Sequence, residues 1–245
     1  MGLLVEVLKS EMLKLKGTKI AYIVPFLTLA TIFLVFFMYA SNPKYSIDEL
    51  GWDEYYMTIY MIFNMMTGIS MYYIFAGYIF SREYQDNMDI VLFTSSIPKH
   101  KFLIGKFLIV LGFIIFSMVI VLLLPFLLGI TISNEPFTIQ LFCKQLKTVL
   151  LMTLMHFSLI PIGAYFSIRW KNMLSVVLLL VTILFLNLIL INAPINTLFP
   201  WAVPFIFSPN EAGRTFTNYP LGIFTLIFTF ILGSALCRYE FYRKN

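Results

Sequence analysis

The stretch Ser81-Arg-Glu-Tyr-Gln-Asp-Asn-Met-Asp-Ile-Val-Leu-Phe-Thr-Ser-Ser-Ile-Pro-Lys-His-Lys-Phe-Leu-Ile-Gly-Lys106 is an island of charge between two long apolar runs, Tyr56 to Phe80 and Phe107 to Ile132. Each flanking run exceeds the roughly 20 residues a helix needs to cross a bilayer. The stretch therefore joins two spans through water at one membrane face. Composition agrees: the chain is 60% hydrophobic and 12% charged, against about 25% charged in soluble domains, and its mean hydropathy is +0.88. The fold class is an all-α membrane protein. A net charge of +5 does not point to nucleic acid, because the basic residues sit at the ends of apolar runs, where they report topology.

Upstream, Met1 to Lys19 carries Lys9, Lys14, Lys16 and Lys19. On a helix, Leu4, Leu8, Met12 and Leu15 form one stripe opposite Glu6, Lys9 and Ser10, which reads as an amphipathic interfacial helix over 1–19. The plainer alternative is a basic tail. The transmembrane domain, 20–245, has expected spans at 20–40, 56–80, 107–132, 148–168, 173–191 and 220–237. Segment 81–106 is the connection between the second and third. Between the fifth and sixth, 192–219 contains Pro194, Pro200, Pro204 and Pro209, and its apolar piece Phe199 to Phe207 is too short to cross. Such a broken outer segment must pack against protein, since lipid leaves broken backbone unsatisfied.

Charge sets the orientation. Of 17 Lys and Arg residues, four lie in 1–19, four in 81–106, two in the turn Arg169 to Asn172 and three after Cys237, so 13 fall on one side; Lys44, Lys144, Lys147 and Arg214 fall on the other. This positive-inside bias predicts six spans in the cell membrane with both termini cytoplasmic. Lys144 and Lys147 stand on the unexpected side. Cys143 and Cys237 end different spans on opposite faces, which argues against a disulfide.

Enzyme motifs are absent. Gly105-Lys106 imitates the end of a phosphate-binding loop, but Phe107 stands where a Ser or Thr would hold magnesium. The expected spans contain no charged residue, which removes the usual marker of an ion or proton path. No catalytic residue, metal ligand or bound cofactor is expected. Pathway candidates at depth are Asn64, Tyr72, Tyr73, His156 and Asn187, each with a plainer reading as hydrogen-bonded packing between helices.

In the opening stretch, Tyr84, Met88, Val91 and Leu92 gather on one side of a helix at i, i+4, i+7 and i+8, while Glu83 and Asp86 face away. Thr94-Ser95-Ser96 and Pro98 stop that helix. At some 25 residues the connection is longer than the roughly 2–8 of an ordinary helix–helix turn. Ser81-Arg-Glu83, Leu92, Ser96-Ile97-Pro98-Lys99 and Gly105-Lys106 together resemble the segment between the second and third spans of ABC-2 type permeases. Asn87-Met88 departs from the Gly-Thr often found there. The resemblance extends over the whole chain through the six spans, the basic first helix and the broken outer segment.

That resemblance implies a coupling helix docking on a separate cytoplasmic ATPase through Glu83, Tyr84, Asp86, Met88, Val91 and Leu92, with ATP and magnesium bound by the partner. It also implies a second permease chain, as homodimer or related heterodimer. In size the chain is similar to small Gram-positive permeases that export antimicrobial or cytolytic peptides or give immunity to them; a hydrophobic, lipid-like compound is the other cargo class. An ATP-independent channel or ion-coupled carrier is the competing function, and an intramembrane enzyme built on His156 a third.

Overall fold

A computed structural model describes residues 2–42, 44, 46–86, 98–207 and 218–243, with Leu50 as backbone alone. Among these residues the chain is helical and has no strand. The elements are α1 (Gly2–Leu15), α2 (Ile23–Ser41), α3 (Ile47–Ile62), α4 (Gly68–Gln85), α5 (Lys99–Gly129), α6 (Ile139–Trp170), α7 (Met173–Leu190), the short α8 (Val203–Ile206) and α9 (Tyr219–Arg243). Among the described residues six helices are long and apolar enough to cross a membrane; the second, Gly51–Gln85, runs from α3 through α4 and is the most buried of them. Around it the other elements assemble.

This central helix is not regular. Gly51, at φ 83°, bends its start, and Phe63–Thr67 forms a π-helical turn in which the Gly68 N–H bonds the Phe63 carbonyl. Such turns widen a helix locally and favour functional positions. Its inward faces carry Tyr55, Tyr56, Tyr60, Tyr72 and Tyr73, all buried. Most of these hydroxyls are tied off, as burial demands: Tyr56 donates to the Leu122 carbonyl at 2.9 Å, Tyr60 to Gln145 Oε1 at 2.9 Å and Tyr73 to the Leu159 carbonyl at 2.8 Å, while Tyr72 bonds Ser117.

Several helices outrun their expected spans. The third begins at Lys99, directly after Pro98 as its N-cap, and not at Phe107; the fourth begins at Ile139, nine residues before Thr148. The connection expected over 81–106 thus contracts to 86–98, because Ser81 to Gln85 completes α4 and Lys99 to Lys106 opens α5. At about 1.5 Å per residue, a helix of 31 residues is some 15 Å longer than the hydrocarbon core, so polar residues fit within its ends. Because the helices run past the expected spans, their ends take in charged residues that the spans themselves lack: Glu83, Lys106 and Glu240 are all buried.

At the end away from Gln85 and Lys99, Asp48 closes the structure. Its carboxylate accepts hydrogen bonds from Ser133 Oγ (2.7 Å), the Asn134 amide (2.8 Å), Asn134 Nδ2 (3.2 Å) and the Glu135 amide (3.4 Å). The Ser133 hydroxyl and the Asn134 amide hold its pKa below the ordinary 3.8. A depressed carboxylate supports the fold above its unfolded pKa and loses that support as pH falls through the folded one. Asp48→Ala is therefore expected to speed hydrogen exchange of the Asn134 amide at neutral pH, and the difference from the parent chain to vanish only as pH falls through the depressed folded-state pKa, which lies below 3.8. Nearby, Lys144 reaches Asp53 Oδ2 at 2.9 Å. That pairing accounts for a lysine on the side where the charge bias disfavours it.

Candidate functional site

At the other end, where α4 ends and α5 begins, four charges from three helices meet. Lys14 Nζ of α1 lies 2.5 Å from Glu11 Oε1 and 2.7 Å from Glu83 Oε1 of α4. Lys106 Nζ of α5 lies 3.0 Å from Glu83 Oε2 and 3.6 Å from Glu11 Oε2, and donates to the Ile79 carbonyl at 2.8 Å. Two acids face two bases, so the cluster is neutral. Lys106 is 2% exposed, Glu11 and Glu83 5% each. A residual cavity of about 10 Å³ remains among them, at the lower limit for one water. Burial alone opposes a charge on Lys14, but Glu83 and Glu11 outweigh it and its pKa stands above the ordinary value. Arg82 donates to the Lys14 carbonyl, closing the C-terminal end of α1 where carbonyls lack helical partners.

Local sequence explains the geometry. In α1, Val7, Glu11 and Leu15 are the buried residues, a stripe spaced i, i+4, i+8. Leu4 and Leu8 are half-buried, but Met12 is exposed, so the bundle-facing stripe differs from the expected one. Contact with α5 is close because residue 105 is glycine: a Cβ there would stand 2.6 Å from Val7 Cγ1. Gly105-Lys106, an imitation of a phosphate loop in the sequence, is in the structure a helix-packing site followed by a buried cation.

The expected docking residues divide. Glu83 turns into the bundle and does not face solvent, because Lys14 and Lys106 compensate its charge there. Tyr84 is also buried, with the Lys171 ammonium 5.2 Å from its ring centroid. Asp86 is exposed and pairs with Arg82 at 3.3 Å. Met88, Val91 and Leu92 lie outside the described residues. The turn after α6 also meets the end of α4, with Gln85 Nε2 donating to Asn172 Oδ1 at 3.1 Å, and Arg169 pairs with buried Glu240 of α9 at 3.0 Å. Glu11 and Glu240 escaped the sequence reading, and Lys14 and Lys106 entered it as flanking charges with no site role. The signal for the first was available in the Val7/Glu11/Leu15 stripe.

The pathway candidates are all buried and hold helices together. His156 Nε2 is 2.9 Å from Asn64 Oδ1, and Asn64 Nδ2 donates to the Pro204 carbonyl at 3.0 Å. Phe63 and Tyr72 meet the imidazole edge-on, with centroids at 5.9 and 5.2 Å. Gly68 makes the space, since a Cβ there would stand 2.9 Å from His156 Cε1. Asn187 Nδ2 donates to the Met65 carbonyl at 3.3 Å and the Trp201 carbonyl at 3.4 Å, and Trp201 Nε1 to Tyr73 Oη at 2.6 Å. The π turn, α6, α7 and the broken segment around α8 thus share one polar framework, and Ala202 to Ile206 are buried against it.

Comparison with known proteins places this architecture. No solved structure matches the chain. The bacitracin transport permease protein BCRB of Bacillus licheniformis is 20% identical over 198 residues, which cover 80% of this chain and 94% of that protein. The sequence profile of the ABC-2 family transporter proteins matches residues 7–187, from within α1 into α7. With that match over most of its length and six helices able to cross a membrane, the chain belongs to the ABC-2 family of transporter proteins, as a multi-pass membrane permease.

Proposed function

We propose that this permease is the membrane subunit of an ATP-driven exporter of amphipathic or hydrophobic peptides, in the service of toxin export or immunity. ATP and magnesium belong to a separate cytoplasmic ATPase that docks on the segment between α4 and α5, with both termini of this chain cytoplasmic. A second permease chain completes the unit. The observation that carries the reading is the four-charge cluster. It clasps both roots of the docking segment, Glu83 on one side and Lys106 on the other, to α1. A push on that segment separates buried charges unless all three helices move together, so motion passes to the spans as a rigid-body shift.

The cargo class rests on the aromatic-rich bundle and on the relative named for bacitracin transport. Because Asn64, Tyr72, Tyr73, His156 and Asn187 are engaged inside the bundle, cargo contacts are assigned to its outer faces, between the two chains. The test is to isolate the tagged full-length chain from its native membrane and reconstitute the material in vesicles. An ATPase should co-purify, and bacitracin should raise its ATP hydrolysis. Exposed Asp86 reports docking: Asp86→Arg should reduce co-purification while leaving the permease folded. Transport persisting in cells stripped of ATPase partners would overturn the reading in favour of an ion-coupled carrier.

A further inference from the structure

Beside the charge cluster, on the opposite face of α1, lies an open groove of about 780 Å³ between α1, the start of α2 and the middle of α5, within the range of about 300–1,000 Å³ typical of small-molecule sites. Its floor is apolar, with Tyr22, Pro25, Phe113 and Phe116, and Lys9 and Lys16 stand at its rim. No acidic residue lines it. Both lysines are exposed, and among the described residues neither has an ion-pair partner, in contrast to Lys14 and Lys106. Gly17, at φ 91°, turns the chain here from α1 towards the membrane-crossing helix, and Tyr22 is 70% exposed, the position of an aromatic at the membrane–water boundary.

We infer that this groove is a specific site for one anionic glycerophospholipid, its phosphate between Lys9 and Lys16 and one acyl chain along Tyr22, Pro25, Phe113 and Phe116. Charge complementarity selects the occupant. Two unneutralised cations above an apolar trough at headgroup depth match a lipid with a net negative head, and a zwitterionic lipid offers its own cation in competition. Two lysines facing one anionic head are worth about 30-fold in occupancy. The lipid would brace α1 from the side away from the cluster, making the stiffness of the relay depend on membrane composition. The site itself stands on the two lysines and does not require the proposed orientation or cargo.

The test uses the full chain in phosphatidylcholine vesicles doped with a trace of phosphatidylglycerol carrying a diazirine in one acyl chain, and a parallel set doped with the same label on phosphatidylcholine. After irradiation, peptides containing Tyr22, Phe113 and Phe116 should carry far more label from phosphatidylglycerol. Lys9→Gln/Lys16→Gln should remove about 30-fold of that labelling. Unlabelled phosphatidylglycerol should compete and unlabelled phosphatidylcholine should not. Equal labelling by the two lipids, or indifference to the double substitution, means ordinary annular lipid and overturns the assignment. Absence of label from both, with the groove filled by protein, overturns it too. If the double variant does not stay monodisperse, competition on the unaltered chain decides.

Discussion

Lys106→Met is expected to destabilise the permease by about 3–5 kcal/mol, the usual penalty for removing one partner of a buried ion pair. Loss of this ammonium leaves Glu83 and Glu11 sharing Lys14 alone, one negative charge in excess in a space too small to admit more than about one water. It also strips the Ile79 carbonyl of its donor. Thermal denaturation in detergent, followed as loss of monodisperse protein, reads the effect. The informative control is Glu83→Gln/Lys106→Met, which restores neutrality with Glu11 and Lys14 still paired. It should recover a large part of the lost stability, because much of the penalty in the single variant is the uncompensated charge. A double variant as unstable as the single one would mean that the lysine acts through packing.

Asn64→Leu is expected to cost about 2–6 kcal/mol, at roughly 1–3 kcal/mol for each of the two buried hydrogen bonds it removes. The substitution removes the acceptor beside His156 Nε2 and the donor to the Pro204 carbonyl, both in fully enclosed surroundings. Its signature is regional. Because Pro204 lies in the broken segment, chymotrypsin should cut after Trp201 or Phe205 in the variant under conditions where the parent resists. A pathway role makes the opposite forecast, with altered transport and unchanged protease resistance.

These two sites were legible in the sequence to different degrees. Six apolar runs and the basic flanks are one-dimensional signals: the runs give the number of membrane-crossing helices, and the flanks predict their sidedness. Asn64 and His156 stand out in the sequence as polar residues at depth, and the structure hydrogen-bonds them to each other and Asn64 to the Pro204 carbonyl. What was not legible is which charges face inward near the span ends. Glu83 and Lys106 lie 23 positions apart on different helices and Glu11 on a third, so their mutual neutralisation exists only once the helices are packed. Read singly, each looks like a water-facing flank, and Lys106 looks like a topological marker. The length of α5 was missed for the same reason: Lys99 and Lys101 suggested a loop, whereas helical backbone satisfies itself and tolerates cations on its exposed side. In α1 the apolar stripe through Met12 was the stronger pattern, yet Gly105 lets Val7 approach α5 and turns the helix so that Glu11 is enclosed.

The central claim is that the cluster of Glu11, Lys14, Glu83 and Lys106 relays partner motion into the bundle, and the charge-balanced Glu83→Gln/Lys106→Met permease tests it most directly. Reconstituted with its ATPase, this variant should bind the partner and hydrolyse ATP at the parent rate, since the exposed docking surface at Asp86 is untouched. Cargo moved per ATP should fall at least about tenfold, within the 5–150-fold span of typical coupling energies. Transport per ATP equal to that of the parent, in a variant shown to be folded and complexed, would contradict the account.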